Sequence, residues 1–294
     1  MTNPRTHPGG STTMTSSGQL TLTNGVQIPT LGFGTWQIPD GAAAYDAVSA
    51  ALAAGYRHID TARAYGNESS VGRAIADSGL AREDVFVTTK LPAEIKDHDA
   101  AATSLQESLA ALGLAYVDLY LIHAPWPWAQ MGADHATGNA LAWAAMEGAH
   151  EHRLARAIGV SNFAVSDLEK LIAASRLKPQ VNQIKFYIGN TQDEITRYCQ
   201  THDILVEGFS PLATGSILSN ADVLDVARTY DRSVAQLCIR YVQQRGVVPL
   251  PKTTTPSRMV ENADLGFTIT DEHMALLDGL TDTATEHHGP KPRA

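Results

Sequence analysis

The sequence predicts a parallel (β/α)8 barrel, a TIM barrel, that is preceded by a β-hairpin. Short apolar runs alternate with amphipathic helical segments, this alternation repeats eight times, and no GxGxxG turn follows the first run. Strict alternation predicts a parallel sheet, and eight parallel strands are the number that closes a barrel. A doubly wound open sheet is the competing architecture. It usually begins with GxGxxG, whereas Gly32-Phe33-Gly34 lacks the third glycine and is followed by no helix.

The predicted elements follow one another in a regular order along the chain. Residues 21–23 and 26–28 flank Asn24-Gly25, which predicts a hairpin with a tight two-residue turn. Short apolar runs, typical of strands buried on both faces, are 31–34, 58–61, 85–89, 117–122, 157–159, 180–184, 205–208 and 247–250. Amphipathic runs predict helices at 42–54, 69–77, 101–112, 141–151, 166–174, 193–201, 233–244, 256–263 and 271–280. Thr255, and either Thr270 or Asp271, are the expected caps of the last two helices.

Length and composition fit one barrel domain. The chain has 294 residues, of which 44% are hydrophobic and 18% charged, and its formal net charge is −9. Because barrels of roughly 250 residues form single domains, we expect residues 20–294 to be one domain. Residues 1–19 are rich in Ser, Thr, Gly and Pro and predict a disordered tail, in which Met14 is an alternative start to Met1.

Charge, hydropathy and cysteine content narrow the classes of partner and compartment. No apolar run approaches the roughly 18 residues of a membrane helix, and an acidic chain without a basic block disfavours nucleic acid as a partner. Cys199 and Cys238 lie far apart without a CxxC motif, and the N-terminus lacks the apolar core of a secretory signal. We therefore expect a cytoplasmic protein with no membrane partner.

Four ionisable side chains are predicted to meet at the carboxyl ends of consecutive strands. Asp60 ends the second predicted strand and Tyr65 follows it, while Lys90 ends the third strand and His123 the fourth. Catalytic groups of parallel barrels lie at this end. Each residue alone has a structural explanation, such as a loop cap, a lysine reaching solvent or a histidine bonded to the backbone. Four on one rim indicate a site.

These four residue types suit the addition of hydride to a carbonyl group. A tyrosine hydroxyl, with a pKa of about 10, is a poor acid unless a cation stabilises its phenolate, and Lys90 is the expected cation. A lysine inside a barrel needs a counter-charge, which Asp60 supplies. His123 can donate a hydrogen bond to the carbonyl oxygen of a substrate. The set therefore combines a proton donor, the pair that tunes it and a group that orients the carbonyl.

Six motifs resemble those of the aldo-keto reductases. They are GYRHIDTARAYGNESSVGRAI (55–75), TTKL (88–91), DLYLIHAPWP (118–127), IGVSNF (158–163), NQ (182–183) and LPKTTTPSRMVEN (250–262). They occur in the family's order and spacing over nearly the whole predicted domain. The resemblance implies a TIM barrel with an N-terminal hairpin, NADPH extended across the strand ends and no metal. It also implies the roles just given to the four rim residues.

The resemblance further assigns cofactor and substrate contacts. Lys252, Thr253 and Arg258 match the clamp on the 2′-phosphate of NADPH, and a dianionic phosphate suits such groups at a helix N-terminus. Phe209 matches the ring that stacks on the nicotinamide. The other residues matched to cofactor contacts are Thr35, Ser161, Asn162, Gln183, Ser210, Leu212, Glu261 and Asn262. The residues expected in the substrate pocket are Trp36 and Trp126.

Two stretches depart from the usual family pattern. Residues 185–188 read Lys-Phe-Tyr-Ile, where many members have an acidic residue and then His-Pro. The polar segment after Leu280 is short, as in prokaryotic members similar to the 2,5-diketogluconate reductases, which predicts an open mouth.

We expect a monomeric NADPH-dependent reductase of small-molecule aldehydes or ketones. Two other classes stay open at this point. One is a protein on the same fold that senses NADPH without turnover, because fold does not guarantee activity. The other is a barrel isomerase or aldolase with Lys90 as a Schiff-base nucleophile, which leaves the phosphate clamp unexplained.

Overall fold

The computed structural model describes residues 18–281 and 283–284. Its strands, β1 to β10, are Gln19–Thr21, Gln27–Pro29, Phe33–Gly34, His58–Asp60, Phe86–Leu91, Val117–Ile122, Ala155–Ser161, Val181–Lys185, Leu205–Phe209 and Val247–Leu250. Its helices, α1 to α10, are Ala42–Ala53, Glu68–Asp77, His98–Leu112, Ala136–Glu151, Val165–Ala174, Asp193–Thr201, Ala221–Thr229, Val234–Gln244, Pro256–Ala263 and Asp271–Asp278. Residues 1–17, which hold most of the predicted tail, lie outside the described residues, and strand β1 begins at Gln19.

Strands β3 to β10 form a parallel sheet in which each strand pairs with the next one along the chain. The amide of Gly32 donates to the carbonyl of Pro249, and that of Gly34 to Pro251, both at 3.0 Å. These bonds bring the first and last strands of the sheet together and close the barrel. The predicted barrel is confirmed, and the sequential strand order excludes a doubly wound sheet.

The N-terminal hairpin closes the bottom of the barrel, which is the end where its strands begin. Leu20 and Ile28 are cross-strand partners in β1 and β2, and both pack on side chains of the barrel interior such as Leu119 and Val248. The amide of Gly25 donates to the carbonyl of Leu22 at 2.8 Å, and Gly25 has a φ of 84°. The hairpin is confirmed, but its predicted two-residue turn is wrong. The turn is longer, with the glycine at a left-handed position after the bend.

Most predicted helices are present, with two clear differences. Helix α4 begins at Ala136, five residues before the predicted start, and α7 was not predicted. The Thr270 hydroxyl caps α10 by accepting the amide hydrogen of His273, as expected. Thr255 precedes α9 without a side-chain capping bond, so its predicted role as a cap is wrong.

The barrel interior is apolar near the bottom and polar near the mouth, where the strands end. Its lower part holds inward side chains that pack under the hairpin, such as Phe86, Leu119 and Leu121. A group of buried polar side chains begins level with Phe86 and continues to the mouth; its members are His58, Asp60, Thr88, Lys90, Gln183 and Glu207. Because the interior excludes water, each of these groups requires a partner from another strand. The mouth is therefore the part of the barrel in which chemistry can be placed.

Candidate active site

A buried lysine–aspartate pair lies at the centre of the mouth. The Lys90 ammonium contacts both carboxylate oxygens of Asp60, at 2.7 and 2.8 Å, and donates to the carbonyl of Thr61 at 3.0 Å. Lys90 is fully buried on β5, and Asp60 ends the neighbouring strand β4. Burial disfavours the charge of Lys90, but Asp60 and Tyr65 outweigh it and raise the pKa of Lys90. The lysine is therefore held as a cation.

Tyr65 stands beside this cation. Its hydroxyl is 3.3 Å from the Lys90 ammonium, and its ring lies 5.5 Å from the imidazole of His123, centroid to centroid, in an edge-on arrangement. It ends a short 3₁₀ turn, Arg63–Tyr65, directly after β4. Arg63 anchors this turn to α3 through the carbonyl of Ser104 and the carboxylate of Glu107.

The pKa of Tyr65 is raised above its ordinary value. Burial raises it, the charge of Lys90 lowers it, and the carboxylate of Asp60 raises it again. The sequence led us to expect Lys90 to make Tyr65 more acidic. The lysine does act in that direction, but burial outweighs it, so Tyr65 is protonated at neutral pH.

His123 is neutral at the mouth. It follows β6, and burial together with the charge of Lys90 lowers its pKa well below the ordinary value. The buried Nδ1 atom has no hydrogen-bond partner among the described residues. The Asn162 amide donates to the backbone carbonyl of His123 at 2.9 Å, and the Trp128 ring packs edge-on against the imidazole at 5.4 Å. The structure thus brings together all four predicted rim residues.

Beneath the lysine–aspartate pair lies a buried group of side chains, of which the sequence analysis identified only Gln183. The Gln183 amide nitrogen donates to Asp60 and to Glu207, at 2.8 Å each. Glu207 is fully buried on β9, and His58 Nε2 lies 3.7 Å from its other oxygen and 3.0 Å from the Thr88 hydroxyl. The sequence did contain a signal for this group, because Glu207 lies inside the short apolar run LVEGF (205–209) and His58 begins the run HID (58–60).

The residues matched to the nicotinamide lie at the ends of adjacent strands. The Ser161 hydroxyl donates to the carbonyl of Gln183 at 2.8 Å and accepts from the Asn162 amide at 3.0 Å. The Thr35 hydroxyl donates to the carbonyl of Asp60 at 3.0 Å. Asn162 and Ser210 have positive φ values of 63° and 53°. Asparagine adopts such φ values more readily than serine, and Arg153 and Asp203, in turns at the bottom of the barrel, also have positive φ.

The residues matched to the rest of the cofactor lie after β9 and β10, around the start of α9. Phe209 ends β9, and Leu212 packs against the main core. Lys252 and Arg258 are exposed, and the Thr253 hydroxyl accepts the Thr255 amide hydrogen at 3.1 Å. On α9, Glu261 is half-buried and Asn262 is buried.

Three tryptophans lie on the loops that follow β3 and β6. Trp36 is 42% exposed, and Trp126 and Trp128 are half-buried and pack edge-on at 5.3 Å. Trp128, which the sequence analysis did not include among the pocket residues, packs directly against the imidazole of His123.

Lys96 and Asn139 hold the loop that carries the second and third tryptophans. The Lys96 ammonium donates to the carbonyl of Ala124 at 2.9 Å and to the Asn139 side chain at 2.6 Å. The Asn139 amide donates to the carbonyl of Pro125 at 2.8 Å. Because these contacts come from α4 and from the segment before α3, their combined role is invisible in local sequence.

Metal and membrane features can be stated for residues 18–281 and 283–284, which the structure describes. In these ranges no three His, Cys, Asp or Glu side chains are grouped so as to hold a metal ion. None of their helices combines the length and hydrophobicity that crossing a membrane requires.

Fold and site together define a class: a (β/α)8 barrel whose mouth holds a protonated tyrosine, a lysine–aspartate pair and a neutral histidine. The aldo/keto reductase family profile matches residues 30–282. The chain belongs to this family. It is 40% identical to the glyoxal reductase of Bacillus subtilis (strain 168) over 272 residues, covering 92% of this chain and 95% of the relative.

Solved structures give the same result. An aldo/keto reductase from Brucella melitensis matches with a TM-score of 0.83 and 40% identity, over 88% of this chain and 98% of the other. A Bombyx mori aldo-keto reductase in complex with NADP matches with a TM-score of 0.81 and 35% identity, over 90% and 93% of the two chains. The predicted family and fold are confirmed, whereas similarity to the 2,5-diketogluconate reductases in particular stays a prediction.

Proposed function

We propose that the protein reduces small aldehydes or ketones to alcohols with NADPH, and that Tyr65 is the proton donor. One observation carries this proposal. The Tyr65 hydroxyl lies 3.3 Å from a buried lysine that is itself paired with Asp60, and the neutral imidazole of His123 packs beside the phenol ring. These groups surround the position that a carbonyl oxygen must occupy in order to receive a proton.

The residues at the mouth fit a nicotinamide cofactor. The Ser161 hydroxyl and the Asn162 amide are hydrogen-bonded to each other where β7 ends, and Ser161 is the register partner of Gln183 on β8. We propose that Ser161, Asn162 and Gln183 hold the nicotinamide end, and that Lys252, Thr253 and Arg258 hold the 2′-phosphate near the N-terminus of α9. The remaining matched residues are proposed to contact the rest of the cofactor: Thr35, Phe209, Ser210, Leu212, Glu261 and Asn262. When bound, NADPH supplies the hydride that the carbonyl carbon accepts.

The side chains of this chain then handle the proton. Because the pKa of Tyr65 is raised, the phenol carries its proton at neutral pH and is ready to act as an acid. The charge of Lys90 stabilises the phenolate that forms when the proton leaves, and Asp60 keeps the lysine in place. Neutral His123 donates a hydrogen bond to the carbonyl oxygen and so orients the substrate.

The Schiff-base alternative is disfavoured by the state of Lys90. A nucleophilic lysine must be deprotonated, whereas Asp60 and Tyr65 raise the pKa of Lys90. No observation specifically favours a sensor without turnover, because all the catalytic positions are filled and correctly spaced.

Small carbonyl compounds are the substrate class that we propose. The Bacillus subtilis relative is named a glyoxal reductase, and a Saccharomyces cerevisiae relative that is 38% identical over 308 residues, spanning 96% of this chain and 95% of its own, is named an aldehyde reductase. We further propose that the protein is cytoplasmic and monomeric.

The test is to mix the purified protein and its Tyr65→Phe variant with NADPH and a panel of aromatic aldehydes, α-ketoesters and sugar-derived dicarbonyls. We expect turnover, followed by loss of the reduced-nicotinamide absorbance, to fall about 100-fold or more in the variant. Fluorescence quenching should show NADPH binding unchanged. Full turnover by the variant would contradict the assignment of Tyr65, and absence of turnover in the wild type would contradict the reductase.

The proposed phosphate clamp has its own test. Lys252→Ala should weaken the binding of NADPH, which carries the 2′-phosphate, by about tenfold and leave NADH binding nearly unchanged. Equal weakening of both cofactors would show that Lys252 does not recognise the 2′-phosphate.

A further inference from the structure

Glu207 is a buried carboxyl group that the proposed chemistry leaves unexplained. It lies in the barrel interior with no exposed surface, on the strand between β8 and β10. The titratable groups that face it are His58 and Asp60 from β4 and Lys90 from β5. Its register partners are Gln183 on β8 and the apolar Val248 on β10.

The geometry leaves Glu207 without a cation of its own. The ammonium of Lys90 is paired with Asp60 and contacts both oxygens of that carboxylate. Within the described residues, His58 is the only basic group in ion-pair range of Glu207, at 3.7 Å, and burial lowers the pKa of that histidine to about 3. An ionised carboxylate that is buried and unpaired costs several kcal/mol, so the group retains its proton instead. In agreement, burial and the charge of Asp60 raise the pKa of Glu207 to about 8.

The amide of Gln183 links this acid to the catalytic pair. Its nitrogen is shared between an oxygen of Asp60 and an oxygen of Glu207, at 2.8 Å each. The reverse orientation would point the amide oxygen at the Asp60 carboxylate, so two acceptors fix the direction of the amide. The Gln183 oxygen receives no hydrogen bond from the described residues, which leaves it as an acceptor for the proposed cofactor.

We infer that Glu207 is a positioning residue that acts as a neutral acid: it fixes the amide of Gln183, and through it Asp60, and its ionisation sets the alkaline limit of turnover. This inference rests on the proposed function. Ionised Glu207 adds a second negative charge beneath Asp60, within electrostatic reach of Lys90, and so offsets part of the positive field that stabilises the phenolate of Tyr65. That charge destabilises the phenolate, so reduction slows as Glu207 loses its proton.

Two substitutions separate the hydrogen bond from the charge. Glu207→Gln keeps an acceptor for the Gln183 amide but cannot ionise, and Glu207→Leu removes the acceptor at similar volume. In wild-type protein we expect kcat to fall about tenfold as the pH rises through the range in which Glu207 ionises. Glu207→Gln should keep neutral-pH activity within about threefold of wild type and lose this alkaline decline. An unchanged decline in Glu207→Gln would overturn the inference.

A matched control is Glu68→Gln. Glu68 is also buried, and burial raises its pKa. One of its oxygens accepts a hydrogen bond from the Thr89 hydroxyl. Because Thr89 and Lys90 are neighbours on β5, their side chains lie on opposite faces of the sheet. The control should retain the alkaline decline of the wild type. If Glu68→Gln removes the decline instead, the titrating acid is Glu68 and the inference is wrong.

Two readouts do not depend on turnover and so separate this inference from the proposed function. Infrared difference spectra of wild type against Glu207→Gln at neutral pH should show the C=O stretch of a protonated carboxylic acid, which disappears at alkaline pH. Glu207→Leu should bind NADPH about tenfold more weakly than Glu207→Gln does, because the Gln183 amide keeps only its bond to Asp60 and is held less firmly. Absence of the infrared band, or equal NADPH affinities in the two variants, would overturn the inference even if the reductase activity is confirmed.

Discussion

Both ends of the barrel bury an aspartate beside basic side chains, but they do so differently. Near the bottom, Asp118 on β6 is paired with Arg82 and Arg156 at 2.7 Å each and also accepts the amide hydrogen of Val87 at 2.9 Å. Both arginines are partly exposed, so their charges remain partly hydrated. At the mouth, Asp60 is paired with a lysine that has no exposed side-chain surface.

The surroundings of the two aspartates differ as well. At the mouth, His123 Nδ1 and one oxygen of Glu207 are buried without hydrogen-bond partners among the described residues. The carboxylate oxygens of Asp118 all have partners. A carboxylate whose oxygens are all paired stabilises a fold, whereas groups at the strand ends beside the opening, such as His123, are positioned to meet a ligand. The comparison therefore assigns stability to the bottom and chemistry to the mouth.

The largest effect is expected when the cation at the mouth is removed. Lys90→Met leaves Tyr65 without the charge that stabilises its phenolate, and we expect kcat to fall about 100-fold or more. Steady-state kinetics on protein shown by circular dichroism to be folded checks this. A kcat within about threefold of wild type would contradict the assignment of chemistry to the mouth of the barrel.

The corresponding change at the bottom is expected to affect stability. Asp118→Asn separates two arginines from their shared partner, and we expect the free energy of unfolding to fall by roughly 2 to 4 kcal/mol, moderated because both arginines reach water. Urea denaturation measures this. An unchanged midpoint would show that the cluster around Asp118 does not stabilise the fold.

The protonation of Glu207 predicts a pH dependence of stability. Its pKa is about 8 in the folded protein against an ordinary value of 4.5, so the unfolded state releases the proton first as pH rises. The stabilising contribution is therefore present below about pH 4.5 and is lost as pH rises to about 8. Urea denaturation of wild type and Glu207→Gln across this range should show a steeper loss in the wild type. Parallel curves would indicate an ionised Glu207.

The smallest effect is expected for Lys96, which supports a loop at the mouth from the segment that precedes α3. Lys96→Met removes the donor that holds the carbonyl of Ala124, and so loosens the loop that carries Trp126. We expect the KM for the carbonyl substrate to rise about threefold to tenfold with little change in kcat. A fall in kcat with an unchanged KM would show instead that the loop positions the catalytic groups.

The sequence predicted the mouth well because its key residues follow directly from strand ends. Once eight parallel strands are inferred, Asp60, Lys90 and His123 must share a rim, and the structure places them there. Tyr65 could be predicted at the same rim because only a short loop separates it from the end of β4. The competing effects on its pKa could not be predicted, because the extent of burial depends on packing from several elements.

The features that sequence reasoning missed depend on contacts distant along the chain. Glu207 meets Gln183 and His58 only after the barrel closes, and Lys96 meets Asn139 across 43 positions. Helix α7 did carry a local signal, since Asn220 caps it and Val223, Val226 and Ala227 recur on its buried face. That helix could therefore have been found from the sequence, whereas the buried acid network required the fold.

The most direct test of this account is the kcat of Asp60→Asn compared with that of Asp118→Asn, both measured at a temperature where each protein is folded. Both substitutions remove one buried carboxylate from an ion cluster. We predict that Asp60→Asn lowers kcat at least about tenfold, because Lys90 loses the partner that holds it beside Tyr65, while Asp118→Asn leaves kcat within about twofold of wild type. Equal losses of kcat in the two variants would contradict the assignment of chemistry to the mouth alone.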